Sequence, residues 1–173
     1  GTNTGTYTVP FTTALTAVNS SESKIPLSVN ITSGGIGDGN IKFSSYTDNN
    51  NSDNFQVSDY KPSDVLNVDN NNSDNSSNVV NRWWVIDANQ YTVKPTTTLD
   101  FTYDDEEAHL DPANTMPESG IFPQRWNPLV AEWNDVSLSG TLNTATNTLS
   151  GITVTADNFF RSWALVNSDI PLP

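Results

Sequence analysis

The feature that most constrains this chain is a dense apolar run over residues 79–86, which ends in the block Trp83-Trp84-Val85-Ile86. β-Branched and aromatic residues favour strands. An apolar block of this length is typical of a strand that is covered on both faces, although a buried helical turn gives the same pattern. The run predicts a strand in the core.

A second strand is predicted over residues 99–103. Apolar and polar residues alternate there, in the order Leu99, Asp100, Phe101, Thr102, Tyr103, Asp104. Alternation with a period of two indicates a strand with one buried face. Lys94-Pro95 ends regular structure between the two runs, which are therefore predicted to be a pair of strands at the centre of the fold.

Composition favours strands over the rest of the chain as well. Asn, Ser and Thr make up 63 of the 173 residues, with only five Glu and four Lys to build surface helices. Small polar residues favour turns and strands over helix interiors. About ten short strand patterns alternate with turn signals, so we predict an all-β, Ig-like two-sheet sandwich that forms a single domain over residues 1–173.

The clearest alternation lies near the N-terminus. Residues 25–31 place Ile25, Leu27, Val29 and Ile31 on one face. The glycine-rich segment 33–40 predicts a tight turn, since glycine accepts positive φ. Residues 40–46 are then expected to be the return strand of a hairpin.

The central stretch and its downstream neighbours resemble a module of large secreted and cell-surface proteins of Bacteroidetes. The matching residues are Asn81-Arg82-Trp83-Trp84, Asp87, Tyr91-Thr92, Lys94-Pro95, Leu99, Phe101, Tyr103, Gln124-Arg125-Trp126-Asn127, Trp133, Gly140-Thr141, Asn147-Thr148-Leu149 and Phe160-Arg161-Ser162-Trp163-Ala164-Leu165. They cover roughly the C-terminal half. The resemblance implies an all-β sandwich in an exported adhesive or structural protein, and it implies no catalytic residues.

Charge and cysteine content exclude several classes of function. A net charge of −13 argues against nucleic acid and against an anionic membrane surface as partner. The chain has no cysteine, which removes disulfides, thiolate metal sites and thiol nucleophiles. It has no 18-residue apolar run, so no membrane insertion is expected. It opens at Gly1 without a leader, which indicates a removed leader or a piece of a larger protein.

Two copies of the heptapeptide Asp-Asn-Asn-Asn-Ser-Asp-Asn, at residues 48–54 and 69–75, are expected to be exposed loops. Their oxygen-rich side chains suit calcium, which takes six to eight oxygen ligands. The absence of a glycine at the sixth position excludes an EF-hand, and plain solvated loops remain the alternative. The candidate ligands are Asp48, Asn50, Asp53, Asp69, Asn71 and Asp74.

A second acidic segment surrounds His109, the one histidine of the chain. Its candidate ligands are Asp104, Asp105, Glu107 and Asp111. An imidazole among carboxylates can share an ion or move a proton. However, no Gly-x-Ser-x-Gly or His-Glu-x-x-His motif is present, so an exposed acidic loop is favoured and no enzyme is predicted. A glycosidase would need two facing carboxylates in a cleft, and Asp100 and Asp104 share the outward face of their strand.

Tryptophans raise a further possibility, carbohydrate binding, because exposed indole rings stack on sugars. The adjacent Trp83 and Trp84 must face opposite sides of a strand, so one of them is exposed if only one side is covered. Core packing is the expected fate of most of the five tryptophans, which are Trp83, Trp84, Trp126, Trp133 and Trp163.

We therefore expect a non-enzymatic structural or adhesive module of a secreted bacterial surface protein or extracellular fibre, located outside the cell. A carbohydrate-binding module is the alternative, and a glycosidase-like enzyme is a third. Expected partners are neighbouring copies or modules of the same protein, and surface glycans. Residues 1–17 are expected either to pair with a neighbour, or to fold back into their own sheet.

Overall fold

The computed structural model describes residues 1–13, 22–46, 78–105, 116–130, 132–135, 140–159 and 161–169. These residues form ten strands. In chain order they are β1 (Gly5–Val9), β2 (Leu27–Ser33), β3 (Asn40–Tyr46), β4 (Val79–Asn89), β5 (Thr96–Thr102), β6 (Ile121–Asn127), β7 (Glu132–Asp135), β8 (Thr141–Asn143), β9 (Thr148–Val154) and β10 (Ser162–Asn167). Two short 3-10 helices, Glu118–Gly120 and Ala156–Asn158, precede β6 and β10.

The strands form two five-stranded sheets in which all neighbours are antiparallel. The first sheet has the order β1-β2-β5-β9-β8, and the second has the order β3-β4-β10-β6-β7. Their facing side chains form one core that contains residues of both sheets. The predicted all-β two-sheet sandwich is confirmed.

The two predicted central strands meet across this core. Phe101 of β5 lies between two tryptophans of the other sheet, with ring centroids 4.9 Å from Trp84 and 5.6 Å from Trp163. Both runs are therefore central, as predicted, but their expected pairing is wrong. They belong to opposite sheets, where β4 pairs with β3 and β10 while β5 pairs with β2 and β9.

The hairpin predicted from β2 to β3 is also wrong, although both strands are present. Residues 34–39 carry the chain from the first sheet to the second, because both edges of β2 are already occupied by β1 and β5. Two glycines in this segment allow the backbone to make the crossing. Gly35 and Gly37 have φ of 74° and 94°, and a Cβ on Gly35 would lie 2.4 Å from the Val93 carbonyl oxygen.

The second sheet is buried on both of its faces along β4 and β10. Trp84 and Ile86 point into the core, whereas Trp83 and Val85 form a separate buried cluster on the other face. Val79, Trp133, Ala164 and Val166 form a second cluster outside the main core. This double burial explains the unbroken apolar block of β4.

Antiparallel pairing fixes where the chain enters and leaves the sandwich. The Thr2 N–H donates to the Gly34 carbonyl oxygen at 2.8 Å, so Gly1 lies where β2 ends, which we call the upper end. β10 starts at this same end, since the Arg161 carbonyl accepts a hydrogen bond from Ile86 near the end of β4. β10 runs away from it, and Asp169 therefore lies at the opposite, lower end.

The N-terminal strand pairs within its own chain. β1 is in register with β2 from the Gly5–Ile31 pair to the Val9–Leu27 pair, and an isolated bridge joins Thr12 to Lys24. Of the two expectations for residues 1–17, the described residues follow the second, in which the strand folds back into its own sheet.

Candidate functional site

A partly buried ion pair ties β4 to the start of β10 at the upper end. The Arg161 guanidinium donates from Nε to Asp87 Oδ1 at 2.8 Å and from Nη2 to Oδ2 at 2.9 Å. Asn89 donates to the same carboxylate at 2.6 Å. Burial acts to raise the pKa of Asp87, but the hydrogen bonds from Arg161 and Asn89 outweigh it and hold the pKa below its usual value.

Lys94 closes the same end by joining two connections between strands. Its Nζ donates to the Phe159 carbonyl oxygen at 2.9 Å and lies 6.0 Å from the centre of the Phe159 ring. Burial lowers the pKa of Lys94, and the nearby Asp87 charge partly opposes this shift. The Lys-Pro step thus lies directly before β5, and Lys94 fastens the connection from β4 to β5 onto that from β9 to β10.

A matching polar contact closes the lower end. The Tyr103 hydroxyl donates to Glu118 Oε1 at 2.6 Å. Burial, together with the Glu118 carboxylate, raises the pKa of Tyr103 far above its ordinary value, so the hydroxyl stays protonated. The polar groups named at both ends satisfy one another and hold connections in place.

The predicted acidic sites are only partly visible. Asp48, Asn50, Asp53, Asp69, Asn71 and Asp74 lie outside the described residues, as do Glu107, His109 and Asp111. Asp104 is half-buried and Asp105 is exposed, just after β5. Across the described ranges, no three His, Cys, Asp or Glu side chains gather into a group that could hold a metal ion. Asp100, the other candidate carboxylate on β5, accepts a hydrogen bond from the Gly151 N–H at 2.8 Å.

The tryptophans are mainly core residues. Trp83, Trp84, Trp133 and Trp163 are at most 4% exposed. As predicted, Trp83 and Trp84 face opposite sides, but both sides are covered. Trp126 is half-buried and packs edge-on against Trp133 at 5.7 Å. The four buried indole rings therefore offer no face on which a sugar could stack.

An open slot runs along one side of the sandwich, between β1 of the first sheet and β3 of the second. Each is an edge strand with one described neighbour. The slot has a volume of about 270 Å³, and its walls include Tyr7 on one side and Ile41 and Phe43 on the other. Val29 and Ile31 of β2 line its floor.

Tyr7 points into the slot because its partner in the ladder, Val29, points into the core. Directly opposed residues of antiparallel strands share a face. In a closed sandwich such a side chain would be buried, yet Tyr7 is 44% exposed. The Tyr7 hydroxyl donates to the Asn3 carbonyl oxygen at 3.2 Å. The inner face of β1 is thus an uncovered extension of the core, which makes the slot the candidate binding surface.

In comparisons with known proteins, no family model, no curated protein and no solved structure matches this chain. A search of the described residues finds no helix long and apolar enough to cross a membrane.

Sequence reasoning missed both the ion pair and the slot. Asp87 and Arg161 are 74 residues apart, and no local pattern joins them. Tyr7 and Val9 do alternate with threonines, which is a strand signal, but the pattern cannot show that the opposing edge would leave Tyr7 uncovered. That outcome depends on which strands end each sheet.

Proposed function

We propose that this chain is a non-enzymatic structural or adhesive module of a secreted bacterial surface protein or extracellular fibre. The observation that carries the proposal is the path of the chain, which enters at the upper end through β1 and leaves at the lower end through β10. A module built into a longer polypeptide or fibre transmits tension between these two points.

Tension along this path acts on the ladders in shear. Pulling Gly1 away from the upper end draws β1 along its own axis, and pulling Asp169 from the lower end does the same to β10. Hydrogen bonds between antiparallel strands are perpendicular to the strands. The bonds of a ladder are therefore loaded together, whereas a pull perpendicular to the strands opens them one after another.

The two loaded strands are held unequally. β10 pairs with β4 on one side and β6 on the other, and each of its six residues is buried. Within the described ranges β1 pairs with β2 alone, and it is mostly exposed. Under load, β1 is therefore expected to slide first, while the core around Trp163 stays intact. Such a two-stage response suits a module that must yield without unfolding.

Composition and resemblance support a location outside the cell. A net charge of −13 with abundant Asn, Ser and Thr gives a highly soluble surface. The residues shared with secreted and cell-surface modules of Bacteroidetes include core positions Trp84, Phe101 and Trp163 and the ion-pair residues Asp87 and Arg161. Those shared residues hold the sandwich together, which fits a module selected for its stability. Neighbouring copies or modules and surface glycans are the partners that such a role implies.

Single-molecule force measurement tests the load-bearing role. Because the chain has no cysteine, handles can be placed at will. One variant is pulled between added cysteines at its two ends. The control is pulled between a cysteine before Gly1 and Ser33→Cys, which opens the ladder between β1 and β2 bond by bond. We expect a several-fold higher rupture force in the first geometry, and equal forces would refute the proposal.

Two further measurements separate the rival classes. Antibodies against the folded chain should label intact cells if the protein is on the surface, and labelling only after lysis would contradict that location. Glycan arrays test the carbohydrate-binding alternative. Release of reducing sugar from polysaccharides by the purified chain would favour the glycosidase-like enzyme instead.

A further inference from the structure

We infer that the slot between β1 and β3 binds residues 170–173 of a second copy of this chain, as an added strand beside β1. The inference rests on the proposed function, because it supplies the contact through which copies of a surface or fibre module join. It identifies both the surface and the segment that fills it.

Among the residues that the structure describes, no strand pairs with β1 on the side away from β2. The first four residues of the strand, from Gly5 to Thr8, are all exposed, and Val9 is half-buried. Exposure along a whole strand leaves its backbone N–H and C=O groups available on the side away from β2. An exposed edge of this kind is a template for a further strand.

The slot provides the side-chain part of the site. The inward positions of β1 are Gly5, Tyr7 and Val9, since these oppose the core residues of β2. A Cβ placed on Gly5 would meet no atom within 4 Å, so the space beside Gly5 is open as well. A strand added beside β1 would direct alternate side chains into this space, over Ile41 and Phe43.

The C-terminal segment has the sequence pattern that such a strand needs. In an extended segment Ile170 and Leu172 share one face, and their backbone polar groups point to one side. Pro171 and Pro173 take the opposite positions, where the missing N–H faces away from the partner strand. Proline is accepted in strands at such edge positions. The segment can thus pair on one side only, which ends the sheet after a single addition.

Distance assigns the segment to a second copy. Asp169 lies at the lower end beneath β10, which is two strands from β3 and in the opposite sheet from β1. Strand spacings of about 5 Å and a sheet separation of about 10 Å place β1 roughly 14 Å away at the least. Four extended residues span about 14 Å in total. Residues 170–173 of the same chain, which are joined to Asp169, therefore cannot lie beside β1.

The net charge of the chain determines the salt concentration at which two copies should associate. Each copy carries a net charge of −13, so two copies repel at low ionic strength, while residues 170–173 carry no charged side chain. Salt at about 0.5 M shortens the screening length to a few ångströms and removes most of this repulsion. Association should therefore strengthen with added NaCl, whereas a contact made by surface ion pairs would weaken.

The test is sedimentation of the full chain and two variants at 0.5 M NaCl. Tyr7→Asp places a charge in the slot, and Leu172→Asp places one in the segment. We expect the unaltered chain to associate and each variant alone to be at least tenfold weaker. A mixture of the two variants should form a one-to-one dimer and nothing larger, because one keeps the segment and the other keeps the slot.

Matched controls define the result. Thr8→Asp, on the outer face of β1, and Pro171→Ala should leave association unchanged. Dilution of the unaltered chain, followed by NMR, should shift the β1 amides most, and this measurement needs no variant. A monomeric unaltered chain, association that survives either variant, or shifts confined to other strands would overturn the inference. None of these results bears on the rupture force of a single chain or on cell labelling, so failure here is distinct from failure of the proposed function.

Discussion

Phe101→Ala removes the ring that joins the two sheets at the centre of the sandwich. Phe101 is fully buried and contacts the rings of Trp84 and Trp163. Truncation of a buried phenylalanine in a packed core costs about 3–5 kcal/mol, because the lost transfer energy adds to the cost of the cavity. Two ring–ring contacts, each worth about 0.5–1.5 kcal/mol, place this site in the upper part of that range.

A loss of about 4–5 kcal/mol is a large share of the roughly 5–15 kcal/mol by which domains are usually stable. For a chain of this length, each kcal/mol lowers the melting temperature by about 2–4 °C, so the expected decrease is roughly 8–20 °C. Urea unfolding should show a lower midpoint with an unchanged slope, since the surface exposed on unfolding is nearly the same.

The matched control is Leu129→Ala, at a position that is 84% exposed in the turn between β6 and β7. Its effect should stay within about 0.5 kcal/mol. If Phe101→Ala melts within a degree or two of this control, then β5 does not pack against β4 and β10 as described, and the arrangement of the two sheets is wrong.

Four further outcomes are expected. Asp87→Asn leaves Arg161 without its carboxylate and should destabilise the fold by about 1–2 kcal/mol, a modest loss because Arg161 is partly exposed. Equal melting of the variant and the unaltered chain would show that the ion pair adds nothing to stability. The pKa of Asp87 is lowered in the folded state, so its contribution to stability is present above pH about 4 and is lost as the pH falls below that value. The urea midpoint should therefore depend less on pH, between about pH 2 and 5, in Asp87→Asn than in the unaltered chain. Tyr103→Phe should cost about 1–3 kcal/mol through the unpaired Glu118, as measured by thermal melting at pH 7, and a neutral result would show that the hydroxyl contact adds nothing. If the two Asp-Asn-rich heptapeptides hold calcium, the melting temperature should rise with added calcium and fall with a chelator, and chelator-insensitive melting without bound ion would leave them as solvated loops.

The positions of the strands could largely be predicted from local pattern, but their partners could not. Alternation along β2 and β5 identified the buried faces correctly, since the period of two is a property of the strand itself. The partner of a strand depends on residues far away in the chain. Residues 33–46 have the pattern of a hairpin, yet β2 had both edges occupied, so the turn became a crossing between sheets.

The same limit explains why the candidate site could not be predicted from the sequence. A strand pattern states which side chains share a face, and the alternation of Tyr7 and Val9 with threonines is such a pattern. Whether an inward side chain is covered depends on the number of strands in the opposite sheet and on where that sheet ends. Among the described strands β3 is the edge of its sheet, and it lies across from β1, so the core is open between them. A single additional strand on the first sheet would close it, and the slot is therefore a consequence of strand order, which local sequence does not encode.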